Sequence, residues 1–238
     1  MTKIKEFLYK ERLQYLVFIG LSIGVAGLTG IGYFSNHLLF QRFLGRINPF
    51  VAILFIIFLG VVLLSFLLSR GWFAIFRKKN LKGLLRRSGL AALFALAAIL
   101  VDLKVVLPAG MNIVFPVSLA FYPVMGFIVE IFFHVLPLSL ILLIQILLSG
   151  DKSQSKLFWG IGIFMVSLLE PILQVMAGYS RPVPSWILVW TGMHVFFINL
   201  TQLIIFKRHD FVSMYSFRLV YYLIWHIIWG VVRLRVLF

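Results

Sequence analysis

Runs of twenty or more mostly apolar residues recur from one end of the chain to the other, and they dictate the solvent in which it folds. A helix needs about 20 such residues to cross roughly 30 Å of hydrocarbon. Of the 238 residues, 62% are hydrophobic and only 12% charged, about half the charged share of a soluble domain. There is too little polar surface here to cover a soluble globule. In lipid every backbone group must be satisfied internally, which rules out open sheet edges, and the runs are far longer than barrel strands. The expectation is an all-α, polytopic transmembrane helical bundle, one integral membrane domain over residues 1–238.

The apolar runs predict about seven spans, near residues 14–34, 49–69, 88–107, 123–148, 157–178, 185–206 and 212–232. Pro116 and Pro123 break the start of the long stretch 112–148, which reads as an outer-surface segment followed by one crossing. A hairpin inside that stretch would give eight spans and put Lys207 and Arg208 outside. The first span carries Gly20, Gly24, Gly27 and Gly30, which offer close helix approach. The charged start before it, with no small-residue cleavage site, predicts a retained first helix rather than a signal peptide.

Net charge is +15, from 22 basic and seven acidic residues. In a soluble chain that excess would point to nucleic acid. Here the cations cluster between spans, as the positive-inside rule produces, so anionic lipid headgroups are the expected partner and nucleic acid is not. Segment 70–87 holds Arg70, Arg77, Lys78, Lys79, Lys82, Arg86 and Arg87 with no acid. It is read as a cytoplasmic, surface-lying segment, with the N-terminus on the same side of a cell membrane. Asp151, Lys152 and Lys156 are expected to form a second cytoplasmic turn, and 180–184 an outer one. His37 and His209 fall in loops, where solvation is expected.

Ionisable residues inside the spans are the functional signal. Two carboxylates left charged and unpaired at mid-membrane, Glu130 and Glu170, would cost about 5–7 kcal/mol. His134, His194 and His226 also fall within spans. At about 1.5 Å per residue all five lie roughly 8–18 Å from the outer surface, so four helices bring ionisable groups to one depth. Pairing of Glu130 with His134, four residues on, and interhelical hydrogen bonding by either histidine are the bland alternatives. Asp102 and Lys104 are expected to satisfy each other or the headgroups, and Asn199 and Gln202 to join helices.

The chain has no cysteine, which excludes disulfides and thiol nucleophiles, and it lacks nucleophile-elbow, HExxH and phosphate-loop patterns. Carboxylate and imidazole remain, a set suited to activating water and stabilising an oxyanion. The same groups could bind a divalent metal, so metal and cofactor stay open.

The sequence Val129-Glu130-Ile131-Phe132-Phe133-His134, then Trp190 to His194, then His226 to Gly230, resembles the CPBP (ABI, CAAX-processing) intramembrane endopeptidases, whose pattern is EExxxR, FxxxH and HxxxN. The resemblance covers about the last half of the chain. Val129 stands where the family has its first glutamate, His134 where it has arginine, and Gly230 where it has asparagine. Glu170 with Gln174 competes for the first motif. The resemblance implies a glutamate-dependent peptidase acting on a peptide or membrane protein, with Glu130 activating water and His194 and His226 assisting. A metal- or haem-binding membrane enzyme and a proton-coupled transporter are the alternatives the residues leave open.

Overall fold

The computed structural model describes residues 3–35, 40, 44–149, 156–178 and 184–238. It is 87% helical, and no strand occurs among the described residues. Seven helical segments are long and apolar enough to cross a membrane, which makes this an integral membrane protein.

A short N-terminal helix α1 (Lys3–Lys10) leads into α2 (Arg12–Ser35), the first span, and α3 (Pro49–Ser69) is the second. Asn48 caps α3, its side chain accepting from the Phe50 amide with Pro49 in the first turn, where a missing N–H costs nothing. The third span joins a tight turn over Lys78–Gly83 to α4 (Leu84–Val105). The fourth is continuous from Ser118 to Leu147, composed of α5 (Ser118–Val129), a wider π-helical turn over Glu130–Val135, and α6 (Leu136–Ser149). The fifth divides into α7 (Lys156–Ser167) and α8 (Leu169–Gly178). Its break has a chemical cause: Pro171 has no N–H to give the Ser167 carbonyl, and the helix interrupts there. The sixth span is α9 (Ser185–Arg208); the seventh joins α10 (Phe211–Tyr222), a second π turn over Leu223–Ile228, and α11 (Trp229–Val236).

Seven spans is the expected number, and stretch 112–148 crosses once. That crossing starts at Ser118, five residues before the predicted Pro123, which is accommodated inside α5. Pro123 leaves the Leu119 carbonyl without its i−4 donor, and the helix is held to its neighbour just there, Tyr215 Oη donating to the Pro123 carbonyl at 2.8 Å. Three glycines of the α2 stripe do not mediate packing, since Gly20, Gly24 and Gly27 have nothing within 4 Å of a notional Cβ, whereas at Gly30 a Cβ would be in ordinary contact with the Phe50 ring at 3.7 Å. Close approach occurs at Gly60 instead, where a Cβ would meet the Phe18 ring at 2.8 Å and Ile131 at 3.1 Å. The core is a column of aromatic rings, with Phe18, Phe127, Phe206, Phe211 and Phe217 all buried.

Segment 70–87 is not a single surface-lying element. Trp72, Phe73, Ala74 and Ile75 are buried. Their backbone is tied inward, with Ile75 N–H donating to Gln14 Oε1 at 2.7 Å and Phe211 N–H to the Ala74 carbonyl at 3.0 Å. Asp210 caps α10 by accepting from the Ser213 amide at 2.7 Å, and it also accepts from the Arg77 amide at 2.9 Å. His209 is half-buried beside Asn80 rather than solvated, and burial together with Arg87 holds its pKa below the usual histidine value. His37, the 151–155 turn and the 180–183 turn lie outside the described residues.

Candidate functional site

The polar groups inside the spans meet around a residue the sequence reasoning overlooked. Arg218 of α10 is 3% exposed and lies between Glu130 and Glu170. Its Nε donates to Glu130 Oε1 at 2.6 Å. Its two terminal nitrogens face Glu170 at 3.4 and 3.2 Å, one to each carboxylate oxygen. The same nitrogens donate to Tyr222 Oη at 3.2 Å, Gln202 Oε1 at 2.9 Å and Asn199 Oδ1 at 3.3 Å. Every arm of the guanidinium fork is therefore occupied, and the arginine presents no spare donor to a ligand. Room for it comes from Gly126, where a Cβ would press on the Tyr222 ring at 3.3 Å and on Arg218 Cδ at 3.5 Å.

Glu130 is fully buried. Besides Arg218 it accepts from Gln202 Nε2, and its second oxygen is 2.5 Å from His134 Nδ1. Both Glu130 and His134 lie on the π turn of the fourth span, a feature that re-aims side chains and recurs at functional sites. His134 Nε2 is buried without a hydrogen-bond partner among the described residues.

The other three predicted residues face a different space. Glu170, His194 and His226 line one cavity of about 160 Å³, with Gln174, Trp190, Thr191, Asn199, Arg218, Tyr221, Tyr222 and Trp225. Leu107 and Met111, from the connection between the third and fourth spans, also contribute to its wall. At roughly 30 Å³ per water it could hold a few waters or one small group of a substrate. Glu170 is fixed by Arg218 and by Gln174 Nε2 at 2.9 Å. His194 stacks on Trp190 with ring centroids 4.6 Å apart, its Nε2 3.3 Å from Tyr221 Oη. His226, on the second π turn, stacks on Tyr122 at 4.4 Å. Glu130 and His134 are not among the lining residues; they stand behind the cavity wall, joined to it through Arg218.

Two nitrogen atoms of lining residues have no hydrogen-bond partner among the described residues, Asn199 Nδ2 and His226 Nδ1. Buried polar groups are normally paired, so such orphans call for an explanation, and a ligand oxygen would supply one. Asn199 and Gln202 do join helices, as expected, but they do so through the site. Among the described residues no three His, Asp or Glu side chains converge in an arrangement that could hold a metal ion.

Asp102 corrects a smaller expectation. It is fully buried and does not pair with Lys104. Arg233 reaches it from α11 with Nε–Oδ2 at 2.7 Å, and Trp229 Nε1 donates to the same oxygen at 2.7 Å.

The fold and site define a helical integral membrane protein with a cavity whose wall carries an ion-paired glutamate and two histidines. Comparison with known proteins adds no relative: no family model, no curated protein and no solved structure matches the chain.

Proposed function

We propose that this protein is a membrane-embedded, glutamate-dependent peptidase in which Glu170 activates water. The observation that carries the proposal is the shared cavity: a carboxylate, two imidazoles and the Asn199 side chain belong to the residues that line one space within the bundle. Glu170 takes a proton from water as its oxygen bonds to the scissile carbonyl carbon. The carbonyl oxygen, now an oxyanion, accepts from Asn199 Nδ2 and from a His226 or His194 N–H. When the carbon–nitrogen bond breaks, the proton held by Glu170 passes to the leaving amine, which balances the step. Glu130, with all its partners spoken for and no place on the cavity wall, serves with His134 and Gln202 to hold Arg218, which in turn fixes the Glu170 carboxylate.

The substrate in this reading is a peptide bond of a membrane protein or membrane-bound peptide, since the cavity is reached from within a lipid-embedded bundle. The end of the bundle carrying the N-terminus and segment 70–87 faces the cytoplasm of a cell membrane, as its cations favour.

The test is cleavage of a fluorogenic peptide library and of co-reconstituted membrane proteins in liposomes. Glu170→Gln is expected to lower turnover by about 10³-fold, within the range for loss of a general base. Glu130→Gln is expected to lower thermal stability, with residual turnover in the molecules that stay folded. Full turnover in Glu170→Gln with complete loss in stably folded Glu130→Gln would transfer the base to Glu130.

A further inference from the structure

At the end of the bundle opposite the Asp102–Arg233 pair, a belt of rings and cations takes no part in the proposed chemistry. Lys207, in the last turn of α9, is half-buried. Its Nζ lies 3.4 Å from the centroid of the Trp159 ring and 5.0 Å from that of Phe73. Its one acceptor among the described residues is the Trp72 carbonyl at 3.5 Å. An ammonium carries three N–H donors, so two of them have no acceptor among the described residues.

The surroundings extend this site. Trp72 meets Trp159 edge-on at 5.6 Å and Phe66 at 6.4 Å, and the Arg70 guanidinium stands 5.9 Å from the Phe66 ring. Lys207 and Arg70 thus flank a ledge of aromatic rings. Trp72 Nε1 has no hydrogen-bond partner among the described residues, although Trp72 is only 8% exposed. Asp210, three residues beyond Lys207, is 1% exposed and occupied by the Arg77 and Ser213 amides and by Asn80 Nδ2 at 2.5 Å. No acid among the described residues pairs with Lys207.

We infer that Lys207 and the Trp72–Trp159 ledge form a binding site for one phosphate group, that of an anionic phospholipid. Spare ammonium donors need an anion with several acceptor oxygens, which a phosphate supplies. The depth selects a lipid as its source. Lys207 closes one span and Trp72 follows the end of another by three residues, the level at which tryptophan rings and cations meet headgroups. The bound phosphate would brace the ends of the second, fifth and sixth spans together.

The experiment is native mass spectrometry of purified protein titrated with phosphatidylglycerol, with phosphatidylcholine as reference. Wild type, Lys207→Gln, Trp72→Phe and Lys79→Gln are compared, Lys79 being an exposed cation of the same basic segment. Lys207→Gln is expected to weaken phosphatidylglycerol retention about tenfold more than Lys79→Gln, as loss of a charged hydrogen bond exceeds loss of a diffuse surface charge. Trp72→Phe keeps a ring, removes only the N–H among polar groups, and is expected to weaken retention about threefold. If Lys207→Gln fails to fold, Trp72→Phe alone decides whether the site exists. Equal losses in Lys207→Gln and Lys79→Gln, or unchanged retention in Trp72→Phe, would overturn the site. Thermal stabilisation of wild type over Lys207→Gln by inorganic phosphate in lipid-free detergent, with none by phosphatidylglycerol, would assign the site to soluble phosphate and overturn the lipid.

Discussion

Arg218 shows how one residue can make two intramembrane carboxylates tolerable. A charge taken out of water is stabilised only if its partners replace the lost solvation, and removing one member of a buried pair leaves the others uncompensated. Arg218 has partners on the fourth, fifth, sixth and seventh spans, through Glu130, Glu170, Asn199 with Gln202, and Tyr222. Arg218→Gln is therefore expected to destabilise the protein by about 3–5 kcal/mol. Adding Glu130→Gln to that variant is expected to cost less than the sum of the two single changes, because the second carboxylate is no longer left charged without its partner. Unfolding of the purified variants in mixed micelles measures this, and strict additivity would refute the coupling. Glu130, Glu170, His194 and His226 were legible in the sequence because an ionisable group in an apolar run stands out. Arg218 did not stand out among Ser213, Tyr215, Ser216, Tyr221 and Tyr222, which make α10 look like an interfacial helix. The signal was nonetheless present: two acids at mid-membrane demand a cation, and Arg218 lies eight residues into the last span.

At the scale of elements, breaks in regular helix decide where the polar groups point. Two π turns carry Glu130, His134 and His226, and the break before Pro171 precedes Glu170. Periodicity at 3.6 residues per turn cannot foresee a widened turn, which is why the division between cavity wall and buried scaffold was not legible. The connection 106–117 supplies part of the cavity wall through Leu107 and Met111. It begins at Val106, held at φ 51°, a left-handed conformation costly for a β-branched residue. Arg233 offsets that cost by donating to the Leu107 carbonyl, to Asn112 Oδ1 at 3.0 Å and to both oxygens of Asp102. Asn112 in turn donates to the His226 carbonyl at 3.2 Å. Arg233→Gln should release this part of the wall while leaving Glu170, His194 and His226 in place. The chain has no native cysteine, so a thiol reagent can report on Met111→Cys alone. Its labelling is expected to accelerate about tenfold in the Arg233→Gln background, the equivalent of about 1.4 kcal/mol of easier local opening. An unchanged rate would mean that the connection holds its position without the clamp.

For the whole molecule, long-range hydrogen bonds fix which loops share an end. Gln14 bonds Ile75, and Phe211 bonds Ala74, so the start of the first span, the second connection and the sixth connection lie together. Asp102, Leu107 and Asn112 bond Arg233, which puts the third connection and the end of the last span together at the other end. This parity requires an odd number of spans between Gln14 and Arg233, consistent with seven and not with the eight-span alternative. The apolar run lengths carried that much of the fold in advance, because bilayer thickness is a fixed ruler. The burial of residues 72–75 was not legible, since it depends on hydrogen-bond partners more than 60 positions away in sequence, the Gln14 side chain and the Phe211 amide. Charge separates the two ends as well: among the described residues of the connections and span ends, Arg70, Arg77, Lys78, Lys79, Lys82, Arg86, Arg87, Lys207 and Arg208 lie at the first, while Arg46, Lys104, Arg233 and Arg235 lie at the second. Anionic inner-leaflet lipid and the insertion machinery both favour the first end inside. In intact cells, an impermeant thiol reagent is thus expected to label Val114→Cys and to spare Lys79→Cys, both exposed positions. Permeabilised cells should label both. The reverse pattern in intact cells would invert the orientation while leaving the seven-span bundle untouched, and labelling of both positions there would mean that the two connections are not on opposite faces.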